Sequence, residues 1–179
     1  YGKVYNRSTI LFSPQYSFFD IVSFLCLQDI TRRPGDLLTR VLATGTFDLL
    51  HPGHVYFLTK ARAFGDELYV IVARDSNVTH KPKPIVPEKQ RLEMVSALGV
   101  VDKAVLGSKN DIFEPLKEIR PNIVALGYDQ HFDPETLEKE LEKRGIPAKV
   151  VRIQFSKECP LCSTGAIIKE VLDRNKRSS

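Results

Sequence analysis

The 179-residue chain is 42% hydrophobic and 27% charged, the balance of one globular domain with a proper core, and this excludes a disordered chain. Its 26 Lys and Arg against 22 Asp and Glu leave a net charge of +4, spread along the sequence with no basic arm, so nucleic acid is not an expected partner. Cys26, Cys159 and Cys162 are too few for a disulfide framework, and no run approaches the roughly 18 apolar residues of a membrane span; a reducing, cytoplasmic setting without a membrane partner is expected.

Residues 1–37 stand apart in composition. Tyr1, Tyr5, Phe12, Tyr16, Phe18, Phe19 and Phe24 lie there without helical or alternating spacing. Asp20 splits the apolar runs Ile10–Phe19 and Ile21–Leu27, and no small-residue cleavage site follows, so a signal peptide is not expected. The segment reads as an N-terminal extension that ends at the turn signal Pro34-Gly35.

From there the chain becomes regular. Compact apolar runs predict strands at Arg40–Thr44, Glu67–Ala73, Lys103–Leu106, Asn122–Leu126 and Ala148–Ile153. Helical spacing predicts helices near His54–Phe64, Glu88–Leu98, Ile112–Ile119, Pro134–Arg144 and Thr164–Asp173. Gly65, Gly99 and Gly145 each follow a periodic stretch, where a left-handed helix end is expected, and Asp133-Pro134 reads as an N-cap with proline in the first turn. Alternating βα units of this kind imply an α/β protein: a Rossmann-like, doubly wound, parallel five-stranded sheet with helices on both faces. The domain runs over residues 38–173, and 174–179 form a polar tail.

Ligands of such sheets sit beyond the carboxyl ends of the strands. The loop after the first strand is the most informative: in Ala43-Thr-Gly-Thr-Phe-Asp-Leu-Leu-His-Pro-Gly-His54 an apolar strand ends in glycine and a helix begins with two imidazoles. Glycines allow close backbone approach, a helix N-terminus offers free N–H donors, and His51 and His54 can donate to phosphate. The segment lacks the G-x-G-x-x-G of a dinucleotide fold and the G-K-[ST] of a P-loop. His80 and His131 also fall in strand-end loops, yet two histidines alone do not make a zinc site, so no protein-held metal is expected. Lys81, Lys83, Lys89 and Arg91 make the loop after the second strand basic; Lys81 and Arg91 are the candidates for a clamp on phosphate, while Lys83 and Lys89 face water. Asp129 at the fourth strand's end is a candidate for ribose or base, with an Asx turn as the plain alternative. Ser163 and Thr164 begin the last helix, where hydroxyls cap N–H groups and can touch phosphates. Cys159 and Cys162 read as half a zinc site, a redox pair or two ordinary thiols; the redox reading, a sensitive gate beside the phosphate site, is preferred because a helix start activates Cys162.

Thr44–His54 resembles the G-T-F-D…H-x-G-H signature of the cytidylyltransferase-like nucleotidyltransferases. Arg91 in its Glu88-Lys-Gln-Arg-Leu-Glu context, Val101-Asp102-Lys103, Leu126-Gly-Tyr-Asp129 and Ser163-Thr164…Lys169 follow in the family's order, so the resemblance covers about residues 39–173. The Cys159-Pro-Leu-Cys162-Ser-Thr segment and Ala73-Arg-Asp75 are most similar to archaeal-type FAD synthetases. That resemblance implies transfer of AMP from ATP to FMN by direct attack on the α-phosphorus, with Mg²⁺ on the nucleotide and a homodimer. It implies His51, His54, Lys81 and Arg91 as catalytic groups, and Thr46, Phe47, His51, Pro52, Gly53, His54, Asp129, Ser163 and Thr164 around the nucleotide. A glycerol-3-phosphate cytidylyltransferase and a nucleotide-sensing module without turnover are the alternatives.

Overall fold

The computed structural model describes residues 38–79, 82–154 and 159–177; the N-terminal extension, His80 and Lys81 lie outside them. In chain order the elements are β1 (Arg40–Gly45), α1 (Pro52–Arg62), β2 (Glu67–Val72), a short 3₁₀ turn (Asp75–Asn77), α2 (Glu88–Ser96), β3 (Lys103–Leu106), α3 (Glu114–Ile119), β4 (Ile123–Leu126), α4 (Pro134–Lys143), β5 (Lys149–Arg152) and α5 (Thr164–Arg177). The five strands are all parallel in the order β3-β2-β1-β4-β5, a Rossmann-like doubly wound α/β sheet as the alternation predicts.

The central strands form where apolar runs can be buried on both sides. Leu42, Ile71, Val124 and Leu126 pack with Leu116 and Ile119 of α3, Leu141 of α4 and Val150 of β5. The alternate residues Val41, Ala43, Val70, Val72, Ile123 and Ala125 are buried too, as are Leu58 and Ala61 of α1 and Val95 of α2. At the amino edge of the sheet, side chains satisfy the first free amides: Asp66 accepts from Thr39 at 2.7 Å, Asn122 from Arg40 at 2.8 Å and Asp102 from Leu68 at 2.8 Å. Each such bond contributes about 1 kcal/mol, which makes that edge the structural end of the molecule.

Element ends differ from expectation in instructive ways. Of the three glycines expected to close helices in the left-handed region, only Gly145 has positive φ, at 73°. Gly65 is needed for room, since a Cβ there would lie 2.6 Å from the Thr39 carbonyl. Arg120 instead takes the left-handed conformation after α3. Asp133 caps α4 as expected, accepting from the Thr136 amide at 2.8 Å, with Pro134 in the first turn. The last helix, α5, continues through Arg177, into the segment expected as a polar tail, with an Arg174–Glu170 pair one turn apart.

The strand order reverses between β1 and β4, so the loops that follow these two strands diverge and leave a crevice at the carboxyl edge. The Thr44–His54 signature and the Gly127–Phe132 loop flank it.

Candidate functional site

The site grows from the first turn of α1. Pro52 is the first residue of the helix and His51 its N-cap, with extended backbone (φ −142°, ψ 165°) and a ring nitrogen, Nδ1, accepting from the His54 amide at 3.3 Å. The His51 and His54 rings stack, centroids 3.7 Å apart and planes 20° from parallel. No acidic side chain occupies the first turn of α1, so its positive end is left for an anion. Burial pushes the His51 imidazole below its ordinary value, and the Asp129 carboxylate pulls it partly back. That shift favours the uncharged imidazole of His51.

Beneath the histidines lies Phe47. It is buried and holds the left-handed conformation at φ 52°, uncommon for a residue with a side chain. Its ring meets His54 edge-on at 5.2 Å and fills the space that a Cβ on Gly45 would occupy, 2.8 Å from that position. The glycine of the signature thus exists to admit the phenylalanine ring, which in turn supports His54.

Arg91 corrects an expectation. It is not a fork open to phosphate: the residue is fully buried in α2, and its guanidinium is consumed by the protein. Nε donates to the Val86 carbonyl at 2.8 Å, Nη1 to the Thr46 carbonyl, and Nη2 to the Ala73 carbonyl at 2.8 Å and to Asp75. A cation so far from water needs its N–H groups paired, and three carbonyls from two strand-end loops, with the Asp75 carboxylate, supply the acceptors. At Asp75, desolvation opposes ionisation, but hydrogen bonds from Arg91 and the Glu88 amide, with the charges of Arg91 and Lys83, outweigh it and hold the carboxyl below its ordinary value. Asp48, within the signature, accepts from the Val86 amide at 2.9 Å and so ties the first loop to the second. Lys83 is exposed, with Nζ on the Asp75 carbonyl at 2.7 Å, and Lys89 is exposed as well.

The last helix closes the other side of α1. Ser163 caps α5, its Oγ accepting from the Ala166 amide at 3.1 Å, and Thr164 is the first helical residue. A Cβ on Gly53 would sit 2.7 Å from the Cys162 carbonyl and 3.0 Å from His51 Nδ1. The backbone before α5 therefore rests on the first turn of α1, and two helix starts converge beside the histidine pair. Cys159 and Cys162 are joined by a disulfide, Cα atoms 5.3 Å apart; bonded sulfurs are neither two ordinary thiols nor half a zinc site, and of the three readings the redox pair is the one compatible with them.

The structure thus brings together His51, His54, Thr46, Phe47, Pro52, Gly53, Ser163 and Thr164. Asp129 is exposed on the loop across the crevice, where its charge still reaches His51. Lys81 lies outside the described residues. Sequence reasoning missed Gln130 and Arg152, which hold the Asp129 loop; no motif announces them, because their partners are main-chain carbonyls far along the chain. Among the described residues no three His, Cys, Asp or Glu side chains form a metal-holding group, and no helix is long and apolar enough to cross a membrane.

Residues 42–170 match the model of the cytidylyltransferase-like family. The chain is 82% identical to a FAD synthase of Methanosarcina acetivorans, over 79% of this chain and 94% of that relative. It is 60% identical to a FAD synthase of Archaeoglobus profundus, over 76% of this chain and 88% of that relative. A solved structure described as a lipopolysaccharide core biosynthesis protein from Thermoplasma volcanium superposes with a TM-score of 0.64 at 46% identity, covering 68% of this chain and 99% of that one.

Proposed function

The chain belongs to the cytidylyltransferase-like family, and from that premise we infer that it is a nucleotidyltransferase that moves AMP from ATP to FMN, giving FAD and pyrophosphate. The observation that carries this reading is the name shared by its archaeal relatives, which align over most of their own length. It selects ATP and FMN over the CTP and glycerol 3-phosphate alternative.

A phosphate oxygen of FMN attacks the α-phosphorus of ATP, the bond from that phosphorus to the bridging oxygen breaks, and pyrophosphate leaves with the electron pair. No covalent enzyme intermediate is involved, so the residues work by position and by charge. His51 and His54 donate to the α-phosphate oxygens and the leaving pyrophosphate, aided by the free amides of the α1 start. The Thr46 and Phe47 backbone and the Pro52-Gly53 turn line the phosphates, with the Ser163 and Thr164 hydroxyls on the opposite wall. Arg91 acts through the Thr46 carbonyl as a positioning residue, and Lys81 supplies positive charge for phosphate. The divalent cation enters as part of the nucleotide substrate, Mg²⁺ in our reading, held by phosphate oxygens. The working form is a cytoplasmic homodimer, which sedimentation of the purified protein tests.

Cys159 and Cys162 serve as a redox gate in this reading: opening the disulfide releases the segment whose carbonyl rests on Gly53. Equal turnover with and without a dithiol reductant, and after alkylation of the reduced protein, would remove the gate.

The deciding experiment is turnover with Mg²⁺, each of ATP and CTP, and each of FMN and glycerol 3-phosphate, following pyrophosphate and product. FAD from ATP and FMN is expected. CDP-glycerol would overturn the acceptor, and tight nucleotide binding without pyrophosphate would identify a sensor.

A further inference from the structure

Arg152, the last residue of β5, belongs to none of the signature segments. Its Nη1 donates to the Gly127 carbonyl at 2.8 Å and the Gln130 carbonyl at 2.9 Å, and its Nη2 donates to the Phe132 carbonyl. Three carbonyls of one short loop converge on one guanidinium. Gln130 closes the loop from the other side: its Oε1 accepts from the Gly127 amide at 2.9 Å, and its Nε2 donates to the Thr44 carbonyl at 2.8 Å, where the signature begins.

The sheet does not require these bonds. The β4–β5 ladder is complete at Leu126 and Arg152, and the Ile153 amide finishes it on the Leu126 carbonyl at 2.8 Å. Nor does the core, because Tyr128, Asp129, His131 and Phe132 are all exposed. Fixing each backbone residue costs conformational entropy, and this loop returns almost no burial for it. Such ordering is useful to a ligand, which then meets a surface whose shape is already set.

The loop's side chains indicate which part of a ligand it meets. Among the described residues, the large apolar side chains left exposed are aliphatic except Tyr128, 59% exposed, and Phe132, 47% exposed. Asp129 lies between them in sequence. Aromatic faces suit planar rings and a carboxylate suits sugar hydroxyls, whereas the same carboxylate repels phosphate. We propose that Arg152, with Gln130, is a positioning residue that holds residues 127–132 as a preformed recognition loop for the sugar-and-ring end of a nucleotide substrate, not its phosphates. This rests on the nucleotidyl-transfer reading above. Adenosine in ATP and the ribityl-flavin part of FMN share that chemistry.

The test compares Arg152→Gln and Arg152→Lys with the unaltered protein. Kd is measured for ATP, for FMN through its own fluorescence, and for pyrophosphate; KM and kcat are measured in parallel, with hydrogen exchange of the 127–132 amides. Arg152→Gln raises Kd and KM of one nucleotide about tenfold, leaves kcat within about twofold and speeds exchange in the loop, while pyrophosphate binding is unchanged. Arg152→Lys falls between. Asp129→Asn costs less in the Arg152→Gln background than alone, since the arginine acts through the loop that carries the aspartate. A rise for ATP assigns the loop to adenosine, and a rise for FMN assigns it to the flavin. Unchanged binding of both nucleotides, or pyrophosphate affinity falling in step, overturns the proposal. If Arg152→Gln fails to fold, Gln130→Met removes the opposite tie and must give the same selective loss for the proposal to survive. Because binding is read without turnover, a protein that makes no FAD would refute the activity and still leave the ATP arm readable.

Discussion

Two loops flank the crevice, and they are held in opposite ways. The loop after β1 is fixed from below, by the buried Phe47 ring under His54 and by the fully buried Arg91 on the Thr46 carbonyl. The loop after β4 is fixed from its rim, by Arg152 and Gln130 at partly exposed positions, and its residues Tyr128, Asp129, His131 and Phe132 are exposed. A loop anchored in the core cannot yield without disturbing the fold, which suits groups that must meet a reacting phosphorus within a fraction of an ångström. A loop braced at the surface can change its side chains without cost to the core, which suits recognition. In the reading proposed above, the contrast separates chemistry from choice of substrate.

The largest expected effect falls on the first loop. His54→Ala lowers kcat for FAD formation by about 10²–10⁴-fold while thermal unfolding stays near that of the unaltered protein; a loss below tenfold would remove His54 from the chemistry. Arg91→Met comes next and strikes stability instead, by about 3 kcal/mol in urea unfolding, because four acceptors lose a buried cation. Arg91→Lys does not restore it, since an ammonium cannot reproduce the fork. If Arg91→Met unfolds like the unaltered protein and loses only phosphate affinity, the guanidinium contacts ligand after all and the contrast between the loops weakens.

The smallest effect links the two loops. An NMR titration finds the His51 imidazole below its ordinary value, and Asp129→Asn lowers it further by removing the charge that raises it. With the folded value depressed, the unfolded chain binds the proton more readily. Stability is therefore full above the ordinary histidine value of about 6.5 and declines as pH falls from there toward the folded value. An unchanged value in Asp129→Asn would show that the second loop does not reach the first.

Much of this architecture is legible in the sequence because it rests on local rules. Apolar runs give the strands, Asp133-Pro134 gives the start of α4, and the His51-Pro-Gly-His54 run gives the start of α1. What escapes is set by distant partners. Nothing local distinguishes Arg91 from the lysines around it, since its burial is decided by carbonyls at Thr46, Ala73 and Val86. Gly65 and Gly145 look alike at helix ends, yet one meets a neighbouring strand and the other turns left-handed. Arg152 reads as an ordinary charged residue at a strand end, and only the loop folded over it reveals its three acceptors.

The approach of the Cys162 carbonyl to Gly53 sets a rule of inheritance for the whole enzyme. Any side chain at position 53 would wedge apart two helix starts that are distant in the chain, so neither can drift in sequence or register alone. In a chimaera built from two relatives, the histidine turn and the cysteine segment have to come from the same parent, however freely the strands between them are exchanged.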